Sequence, residues 1–359
     1  MTTKYAQPDI NNLLTKLHAN VSKTEQSAAK KWQERRHLLT TQDLSLDELS
    51  LVMALASAFK ANKTHKAAPL TVLANRTIAN LFYENSTRTR SSFELAARKL
   101  GATVLNLDLK TSSVAKGESL KDTALNLWAM GVDAIVMRHS QSGVPQDLAD
   151  QVDLKMHVIN AGDGWHSHPS QGLLDIFTIL ESLGRLPELK SDGRATNALS
   201  EKSLAGLKVA IIGDIMHSRV ARSDMHLITR LGGTVAFAGP PALMPDHLSD
   251  LPGVSVSHRL HDALQDAHIV ICLRLQLERQ EQGLIASLDD YKANYRIDHD
   301  RLRLASPQVK VLHPGPINRG LEITDALADD QEYSLILEQV QNGVLNRMAA
   351  LYLLLGGSV

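Results

Sequence analysis

Residues 77–90 of the chain read TIANLFYENSTRTR. The first half is apolar and predicts a buried strand, and the polar second half is typical of a helix start. Unpaired N–H groups at a helix start, with hydroxyl side chains and a guanidinium, form a site for an anion. The candidate anion site consists of Ser86, Thr87, Arg88 and Thr89. The alternative interpretation is an ordinary capping sequence with solvated arginines.

The alternation of strand and helix continues along the chain. Short apolar runs separated by amphipathic stretches predict βαβ units, and hence an α/β fold with two doubly wound parallel-sheet domains. The predicted strands are Thr77–Tyr83, Thr103–Leu109, Asp133–Met137, His157–Asn160, Lys208–Ile212, Thr234–Ala238, Ala267–Leu273 and Val309–Leu312. A helix is expected to start at Ser45 or Asp43, and a long apolar helix is expected over Leu335–Leu355.

Composition excludes several classes of protein. The 359 residues suffice for two domains and a large core. Because 38 Lys and Arg balance 39 Asp and Glu, the chain has no bulk positive field for nucleic acid. The single cysteine, Cys272, excludes a disulfide framework and a cysteine-ligated zinc site. No apolar run is long enough to span a membrane and residues 1–36 lack the apolar core of a signal peptide, so we expect a cytoplasmic protein.

Polar and cationic residues follow several of the predicted strands. In parallel sheets these positions lie at one edge, where ligands bind. The residues are Ser112, Lys116, Arg138, His168, Gln171, Arg219, Arg274, Gln276 and the turn His313-Pro314-Gly315-Pro316. Each alone is as easily a solvated charge, a salt bridge or a structural histidine. Together they predict a site for a small molecule with several negative charges.

Missing motifs narrow the chemistry. Residues 213–218 read GDIMHS, so the G-x-G-x-x-G dinucleotide fingerprint is absent after the strand at Lys208. The chain also lacks Walker A, H-E-x-x-H and G-x-S-x-G motifs. We therefore expect catalysis by positioning and electrostatics, with no cofactor, no metal and no covalent intermediate.

Residues 82–90, FYENSTRTR, resemble the carbamoyl-phosphate motif of the aspartate/ornithine carbamoyltransferase family, and the resemblance covers roughly residues 37–355. Three segments are similar to the aspartate branch: HPSQ at 168–171, RLQLER at 274–279 and HPGP at 313–316. In the ornithine branch, the third position of the first segment is usually a cysteine, and the last segment is His-Cys-Leu-Pro.

The resemblance implies a role for each candidate residue. The catalytic residues would be Arg88, Thr89, Lys116, Arg138 and His168. The substrate-binding residues would be Ser86, Thr87, Ser112, Gln171, Arg219, Arg274, Gln276, Pro314 and Gly315. Ser86, Thr87, Arg88 and Thr89 would hold the phosphate of carbamoyl phosphate. Gln171, with the carbonyls of Pro314 and Gly315, would bind its NH₂ group. Arg219, Arg274 and Gln276 would hold the carboxylates of aspartate.

The resemblance also implies an organisation. Its parts are an N-terminal arm (1–36), a carbamoyl-phosphate-binding domain (37–172), an aspartate-binding domain (173–334) and a C-terminal helix (335–359) that returns to the first domain. The active site would lie in the cleft between the domains. Ser112 and Lys116 would reach in from a neighbouring subunit of a homotrimer, and regulatory or dihydroorotase-like subunits are further partners that the family allows.

Other functions stay open at this point. A carbamoyltransferase for another amine, such as ornithine, would need acidic groups in place of Arg219 and Arg274. An inactive homologue acting as a scaffold would have lost Arg88 or Lys116, and both are present. Two segments have no predicted function: residues 1–36 and residues 190–205. The first is interpreted as a loosely held tail, with a helical arm that has a docking role and a short helix around Ile10–His18 as the alternative, and the second as an exposed loop.

Overall fold

Two parallel sheets organise the chain, one in each of two units. The structure, a computed structural model, describes residues 10–21, 27–107, 117–190, 192–275 and 287–356. The first unit comprises Met1–Leu199 and Gln341–Val359, and the second comprises Ser200–Val340. The predicted α/β class, with parallel sheets in two domains, is confirmed.

The first unit contains seven helices among its described residues, and a sheet of four parallel strands. Its strands are β1 (Thr77–Phe82), β2 (Thr103–Asn106), β3 (Ala134–His139), β4 (His157–Asp163), β5 (Glu188–Leu189) and β6 (Ala195–Thr196). Its helices are α1 (Ile10–Val21), α2 (Ala28–Glu34), α3 (Leu46–Ala61), α4 (Thr87–Lys99), α5 (Leu120–Ala129), α6 (Val144–Val152) and α7 (Pro169–Ser182). The sheet order is β2-β1-β3-β4, and β5 pairs with β6 in a separate antiparallel hairpin.

The second unit has a five-stranded parallel sheet with the order β11-β10-β7-β8-β9. Its strands are β7 (Lys208–Ile212), β8 (Thr234–Ala238), β9 (Val254–Ser257), β10 (Ile269–Cys272) and β11 (Lys310–Leu312). Its described helices are α8 (Arg219–Arg230), α9 (Leu260–Leu264), α10 (Leu288–Tyr295), α11 (His299–Leu302) and α12 (Asp325–Ala328). The last helix, α13 (Ile336–Leu355), starts in the second unit and belongs to the first from Gln341 onward.

Local sequence explains where the helices begin. The Ser45 hydroxyl accepts a hydrogen bond from the Glu48 N–H, and the Glu48 carboxylate accepts one from the Ser45 N–H (2.8 Å). This capping box satisfies donors that a helix start leaves unpaired, so α3 begins at the predicted Ser45. Ser119 and Ser218 cap α5 and α8 in the same way, through their hydroxyls.

The first unit extends beyond the boundary that the sequence places between residues 172 and 173. That position lies inside α7, where residues 169–180 are all buried. The hairpin of β5 and β6 packs against α3. The Leu199 N–H also donates to the Ser50 hydroxyl of α3 (2.8 Å). The chain therefore leaves the first unit after Leu199, because α7 is a core helix rather than a linker.

The described part of the N-terminal arm is packed, so the interpretation of these residues as a loose tail is wrong. Leu13, Leu14 and Leu17 form one buried apolar face of α1. The Leu14 carbonyl accepts a hydrogen bond from the Tyr352 hydroxyl of α13 (3.1 Å). On α2, the buried Trp32 indole N–H donates to the Glu48 carbonyl (3.1 Å).

The segment 190–205 is also more ordered than the predicted exposed loop. It contains β6, and its Leu199 and Leu204 are buried. All eight predicted strands are present, two of them with the predicted bounds and six with shifts at their ends, and residues 108–109 of the second lie outside the described residues. None of the described helices combines the length and apolar character that crossing a bilayer requires.

The C-terminal helix packs on the first unit, as the predicted fold class requires. Asn342 donates to the Thr178 hydroxyl (3.0 Å) and to the Glu181 carboxylate (2.9 Å) on α7. Lys60 of α3 donates to the Asn342 side-chain oxygen (2.8 Å). A single buried asparagine thus joins three helices of this unit.

Candidate active site

The start of α4 has the features of an anion site. Ser86 is the N-cap residue with an extended backbone, yet its hydroxyl makes no capping bond within the described chain. The first intrahelical bond runs from the Arg90 N–H to the Ser86 carbonyl (3.2 Å). The N–H groups of residues 87–89 therefore have no partner within the helix, and the exposed Arg88 adds a positive charge. These donors, the spare hydroxyl and the helix dipole favour a bound anion.

Arg138 lies at the end of the neighbouring strand. It pairs with Phe82 across β3 and β1, and its carbonyl accepts a hydrogen bond from the Tyr83 N–H (2.9 Å). Its guanidinium donates to the Glu84 carboxylate (2.6 Å) and to the Ala161 carbonyl (3.4 Å). These contacts hold a cation at the carboxyl ends of three adjacent strands, beside the loop that leads to α4.

The end of β4 is organised by a buried carboxylate, Asp163. It accepts hydrogen bonds from the Gly143 N–H (2.8 Å), the Asn160 amide (2.7 Å) and the His166 ring (3.0 Å). Burial alone would raise the pKa of Asp163, but these hydrogen bonds outweigh burial and hold the pKa below its ordinary value. The carboxylate thereby fixes the loop that leads to His168, the N-cap residue of α7.

Gln171, in the first turn of α7, has an orientation that its neighbour determines. Its amide nitrogen donates to both oxygens of Asp175, at 3.1 and 3.0 Å. A carboxylate only accepts hydrogen bonds, so the amide nitrogen must face Asp175. The amide oxygen of Gln171 then points elsewhere, as an acceptor for an N–H group.

Arg347 of α13 contacts the start of α7, next to Gln171. It is buried, and its guanidinium donates to the Ser170 hydroxyl (3.2 Å) and lies 5.0 Å from the ring centroid of Phe93 on α4. Burial lowers the pKa of Arg347, and the nearby Asp175 carboxylate partly opposes this. One side chain thus contacts both helices whose first turns carry candidate residues.

The second unit gathers a second set of candidate residues. Its strands β7, β10 and β11 are neighbours, with Ile212 opposite Cys272 and Ile271 opposite Leu312. Their carboxyl ends therefore lie side by side. The residues that follow them include Arg219 after β7, Arg274 after β10, and Pro314 and Gly315 after β11.

Arg219 is held at the start of α8. The Ser218 hydroxyl caps this helix by accepting from the Ala221 N–H (3.0 Å), and Arg219 itself is buried. The preceding loop is fixed by Asp214, whose carboxylate contacts the His217 ring at 2.9 and 3.0 Å. A buried arginine on a rigid loop suits a carboxylate ligand, because a guanidinium pairs with it through two hydrogen bonds.

Family models match both halves of the chain. The carbamoyl-P binding domain of aspartate/ornithine carbamoyltransferases matches residues 36–181, and the Asp/Orn binding domain matches residues 205–354. The chain belongs to the aspartate/ornithine carbamoyltransferase family. The resemblance found in the sequence is thus confirmed at the level of the family.

Curated relatives of this family member are named aspartate carbamoyltransferase catalytic subunit. The protein from Thermosynechococcus vestitus is 47% identical over 326 residues, which cover 90% of this chain and 95% of the relative. The protein from Acaryochloris marina is 48% identical over 323 residues, which cover 89% and 96%.

Solved structures of carbamoyltransferases share the fold. Aspartate transcarbamoylase from Trypanosoma cruzi, in complex with carbamoyl phosphate and aspartate, is 30% identical with a TM-score of 0.75, covering 89% of this chain and 97% of that one. Ornithine carbamoyltransferase from Pyrococcus furiosus is 28% identical with a TM-score of 0.75, covering 90% and 98%. The backbone alone therefore does not separate the two branches of the family.

The carbamoyltransferase candidates fall into three groups. At the strand ends of the first unit lie Ser86, Thr87, Arg88, Thr89, Arg138, His168 and Gln171. At those of the second unit lie Arg219, Arg274, Pro314 and Gly315. Ser112, Lys116 and Gln276 lie outside the described residues.

Sequence reasoning missed residues that support the candidates. Asp175 follows Gln171 by four positions, a spacing that puts both on one helix face, and Arg347 is an arginine in an otherwise apolar helix stretch. Both signals were readable. Asp163 had no comparable signal, because its partners Gly143 and His166 lie in loops whose geometry no local pattern specifies.

Proposed function

We propose that this chain transfers the carbamoyl group of carbamoyl phosphate to the amine of L-aspartate, giving N-carbamoyl-L-aspartate and phosphate, an early step of pyrimidine biosynthesis. The observation that carries the proposal is that each unit has a group of cationic residues at the carboxyl ends of its strands. One contains the candidate anion site at the start of α4, with Arg88, and the nearby Arg138, and the other contains two arginines, Arg219 and Arg274. The names of the curated relatives support aspartate as the acceptor.

Carbamoyl phosphate would bind to the first unit through its phosphate. The N–H groups and hydroxyls at residues 86–89 would surround the phosphate oxygens, and Arg88 would balance their charge. The open cap at Ser86 supports this assignment, since α3, α5 and α8 use the corresponding serine hydroxyl for the helix itself.

The carbamoyl NH₂ group needs acceptors rather than donors. The Gln171 amide oxygen is available in the required orientation because Asp175 holds the amide nitrogen. The carbonyls of Pro314 and Gly315 would complete this subsite, and these acceptors would distinguish a carbamoyl group from a carboxylate.

Aspartate would bind through its two carboxylates. Arg219 and Arg274, with Gln276, would hold them, because two guanidinium forks match two carboxylates. The same arginines would repel the cationic side chain of ornithine, which makes aspartate the favoured acceptor.

The reaction requires stabilisation of an oxyanion. The aspartate amine attacks the carbamoyl carbon, a C–N bond forms, and the carbonyl oxygen gains negative charge. Thr89, Arg138 and His168 would donate to this oxygen. The C–O bond to phosphate then breaks and the departing phosphate accepts the amine proton, so no covalent enzyme intermediate forms. Removal of one such donor from an oxyanion site typically lowers the rate by about 10²–10³-fold.

A complete site would require a second copy of the chain. Ser112 and Lys116 would reach the bound phosphate from a neighbouring subunit, which makes a homotrimer the proposed assembly. Regulatory or dihydroorotase-like subunits are further proposed partners, and the relatives' name, catalytic subunit, is compatible with such an assembly.

The test is a product assay with two acceptors. The purified chain is given carbamoyl phosphate with L-aspartate or L-ornithine, and the carbamoylated product is identified by mass spectrometry. We expect product from aspartate only, and a loss of about 10²-fold or more in Arg88→Ala. Arg98→Ala, on the exposed end of the same helix, is the matched control and should keep wild-type turnover. Product from ornithine alone, or full turnover of Arg88→Ala, would refute the proposal.

A further inference from the structure

The turn after β11 is held by a buried pair of side chains that the proposed substrates do not touch. His313 begins the turn and Glu322 lies beyond it, and the exposed fractions of their side chains are 0% and 2%. The His313 Nε2 atom lies 3.0 Å from the Glu322 Oε1 atom. A buried carboxylate and imidazole beside a ligand-binding turn need an explanation, since burial of such polar groups is costly.

Hydrogen bonding fixes the form of the His313 ring. The Gly315 N–H donates to His313 Nδ1 (2.8 Å), so Nδ1 is an acceptor and carries no hydrogen. The ring hydrogen is therefore on Nε2, where it is donated to Glu322 Oε1. Glu322 selects this tautomer and thereby keeps Nδ1 able to hold Gly315.

The same oxygen of Glu322 also fixes the far end of the turn. Glu322 Oε1 accepts a hydrogen bond from the Asn318 N–H (2.6 Å). The Asn318 side chain in turn donates to the Leu275 carbonyl, next to Arg274 (3.2 Å). At the near end, the His313 N–H donates to the Gln339 side-chain oxygen (2.7 Å). The turn is thus anchored at both ends and linked to the segment after β10.

Peptide geometry carries this anchoring to the substrate-binding atoms. The Gly315 N–H and the Pro314 carbonyl belong to one planar peptide unit, in which they point in opposite directions. When His313 Nδ1 holds the N–H, the Pro314 carbonyl must point away from His313. Gly315 has a φ of +63°, a left-handed conformation that glycine adopts without strain and that this anchoring maintains.

We propose that His313 and Glu322 form a positioning pair that orients the Pro314–Gly315 peptide and so determines selectivity for a carbamoyl donor. This inference rests on the proposed function, in which these carbonyls bind the carbamoyl NH₂ group. A correctly directed carbonyl accepts a hydrogen bond from a ligand that has an N–H group, and makes no such bond with a ligand that has a methyl group in that place. The pair acts through the turn and does not itself contact substrate.

The experiment compares three ligands on the full-length chain. Carbamoyl phosphate carries the NH₂ group, acetyl phosphate has a methyl group instead, and inorganic phosphate has neither. Dissociation constants are measured for wild type, Glu322→Ala and Glu322→Gln. We expect Glu322→Ala to bind carbamoyl phosphate about tenfold more weakly and to bind the other two within about twofold of wild type. Glu322→Gln should keep wild-type selectivity, because both contacts use one oxygen that an amide also supplies.

Two further variants complete the design. Asp330→Ala removes another carboxylate–histidine contact of the same unit (Asp330 to His299, 2.8 Å) and should not change selectivity. Should Glu322→Ala fail to fold, His313→Phe keeps a planar ring, lacks both nitrogens and should show the same loss of selectivity. The positioning role would be overturned if Glu322→Ala or His313→Phe bound all three ligands equally more weakly, or if both of these variants kept wild-type selectivity. A wild-type chain that makes no carbamoylated product would instead overturn the proposed function, and this inference with it.

Discussion

At the scale of single residues, the orientation of one amide, that of Gln171, is central to the proposed binding of the carbamoyl group. Gln171 presents an oxygen because Asp175 holds its nitrogen. A lone glutamine offers either end of its amide to a ligand, so the residue type alone does not specify an acceptor. The HPSQ segment of the sequence makes Gln171 a candidate. The structure explains why this residue presents its amide oxygen rather than its NH₂ group to a ligand.

Asp175→Asn tests this reasoning. An asparagine accepts as well as donates, so Gln171 is no longer held in one orientation, and we expect KM for carbamoyl phosphate to rise about tenfold. KM for aspartate should change much less. The matched control is Asp150→Asn, which alters a contact from a glutamine four residues earlier (Gln146, 2.8 Å) on the exposed side of α6. Steady-state kinetics provide the measurement, and an unchanged KM for carbamoyl phosphate in Asp175→Asn would contradict the assigned orientation.

His157 makes folding sensitive to pH. Its Nδ1–H donates to the Arg36 carbonyl (2.8 Å), and burial, with smaller contributions from His37 and nearby arginines, lowers its pKa from 6.5 to about 4. The unfolded chain therefore takes up a proton at a higher pH than the folded chain. The stabilisation is complete above pH 6.5 and is lost as the pH falls towards 4.

Replacement of His157 by glutamine should remove this dependence. Between about pH 7.5 and pH 4.5 we expect wild type to lose roughly 1–2 kcal/mol more unfolding free energy than His157→Gln, a modest figure because the ring keeps some contact with solvent. Urea unfolding at several pH values measures the difference. His261→Gln, at a histidine whose side chain is 63% exposed, should follow wild type. Parallel pH profiles for wild type and His157→Gln would refute the role of His157.

At the scale of elements, α13 contacts two helices, α4 and α7, through Arg347. The guanidinium lies on Phe93 of α4 and contacts Ser170 of α7, near the Asp175 carboxylate. Removal of a cation from such a buried cluster leaves the carboxylate uncompensated, which costs more than removal of both charges.

Arg347→Met should therefore destabilise the chain by about 3 kcal/mol, and the double variant Arg347→Met/Asp175→Asn by less than the sum of the two single changes. Urea unfolding of the four proteins gives the coupling. Arg98→Met, which breaks an exposed ion pair with Glu94, should cost about 0.5 kcal/mol or less. Additive effects in the double variant would argue against a shared buried cluster.

Elements differ in how well the sequence predicts them. The strands β1, β3, β7 and β8 are apolar runs flanked by turns, and their buried central positions make such runs necessary. By contrast β9, with the sequence VSVS, was not predicted, because an edge strand needs only a short alternating pattern. The hairpin of β5 and β6 has two residues in each strand and depends on packing against α3, which no local pattern encodes.

At the scale of the whole molecule, the sequence predicts two parallel-sheet domains, but neither the order of the strands in each sheet nor where the first unit stops. The sequence predicts a boundary between residues 172 and 173, whereas burial along α7 and the packing of β5, β6 and Leu199 on α3 extend the first unit to Leu199. The order of motifs along the sequence does not show whether the segment after a motif is a buried helix or an exposed linker. Only tertiary packing distinguishes the two.

The proposed trimer leads to a complementation experiment. Each of the variants Arg88→Ala and Lys116→Ala should be inactive at every site of its own trimer. If the two residues act on one site from different subunits, a trimer that contains both variants has a site with Arg88 from one subunit and Lys116 from another. A randomly assembled one-to-one mixture should recover about a quarter of wild-type turnover, since about three quarters of its trimers contain both variants and each of these has one restored site of three. The mixture is unfolded and refolded together, and the separately refolded variants serve as controls. Absence of recovered activity in mixed trimers of confirmed composition would contradict a shared site.

The most direct measurement of the central claim is a crystal structure of the chain with carbamoyl phosphate and succinate, a dicarboxylate that lacks the attacking amine. We expect the phosphate at the start of α4, within hydrogen-bonding distance of Ser86, Thr87 and Arg88, and the succinate carboxylates at Arg219 and Arg274. Density for either ligand away from these residues would contradict the central claim.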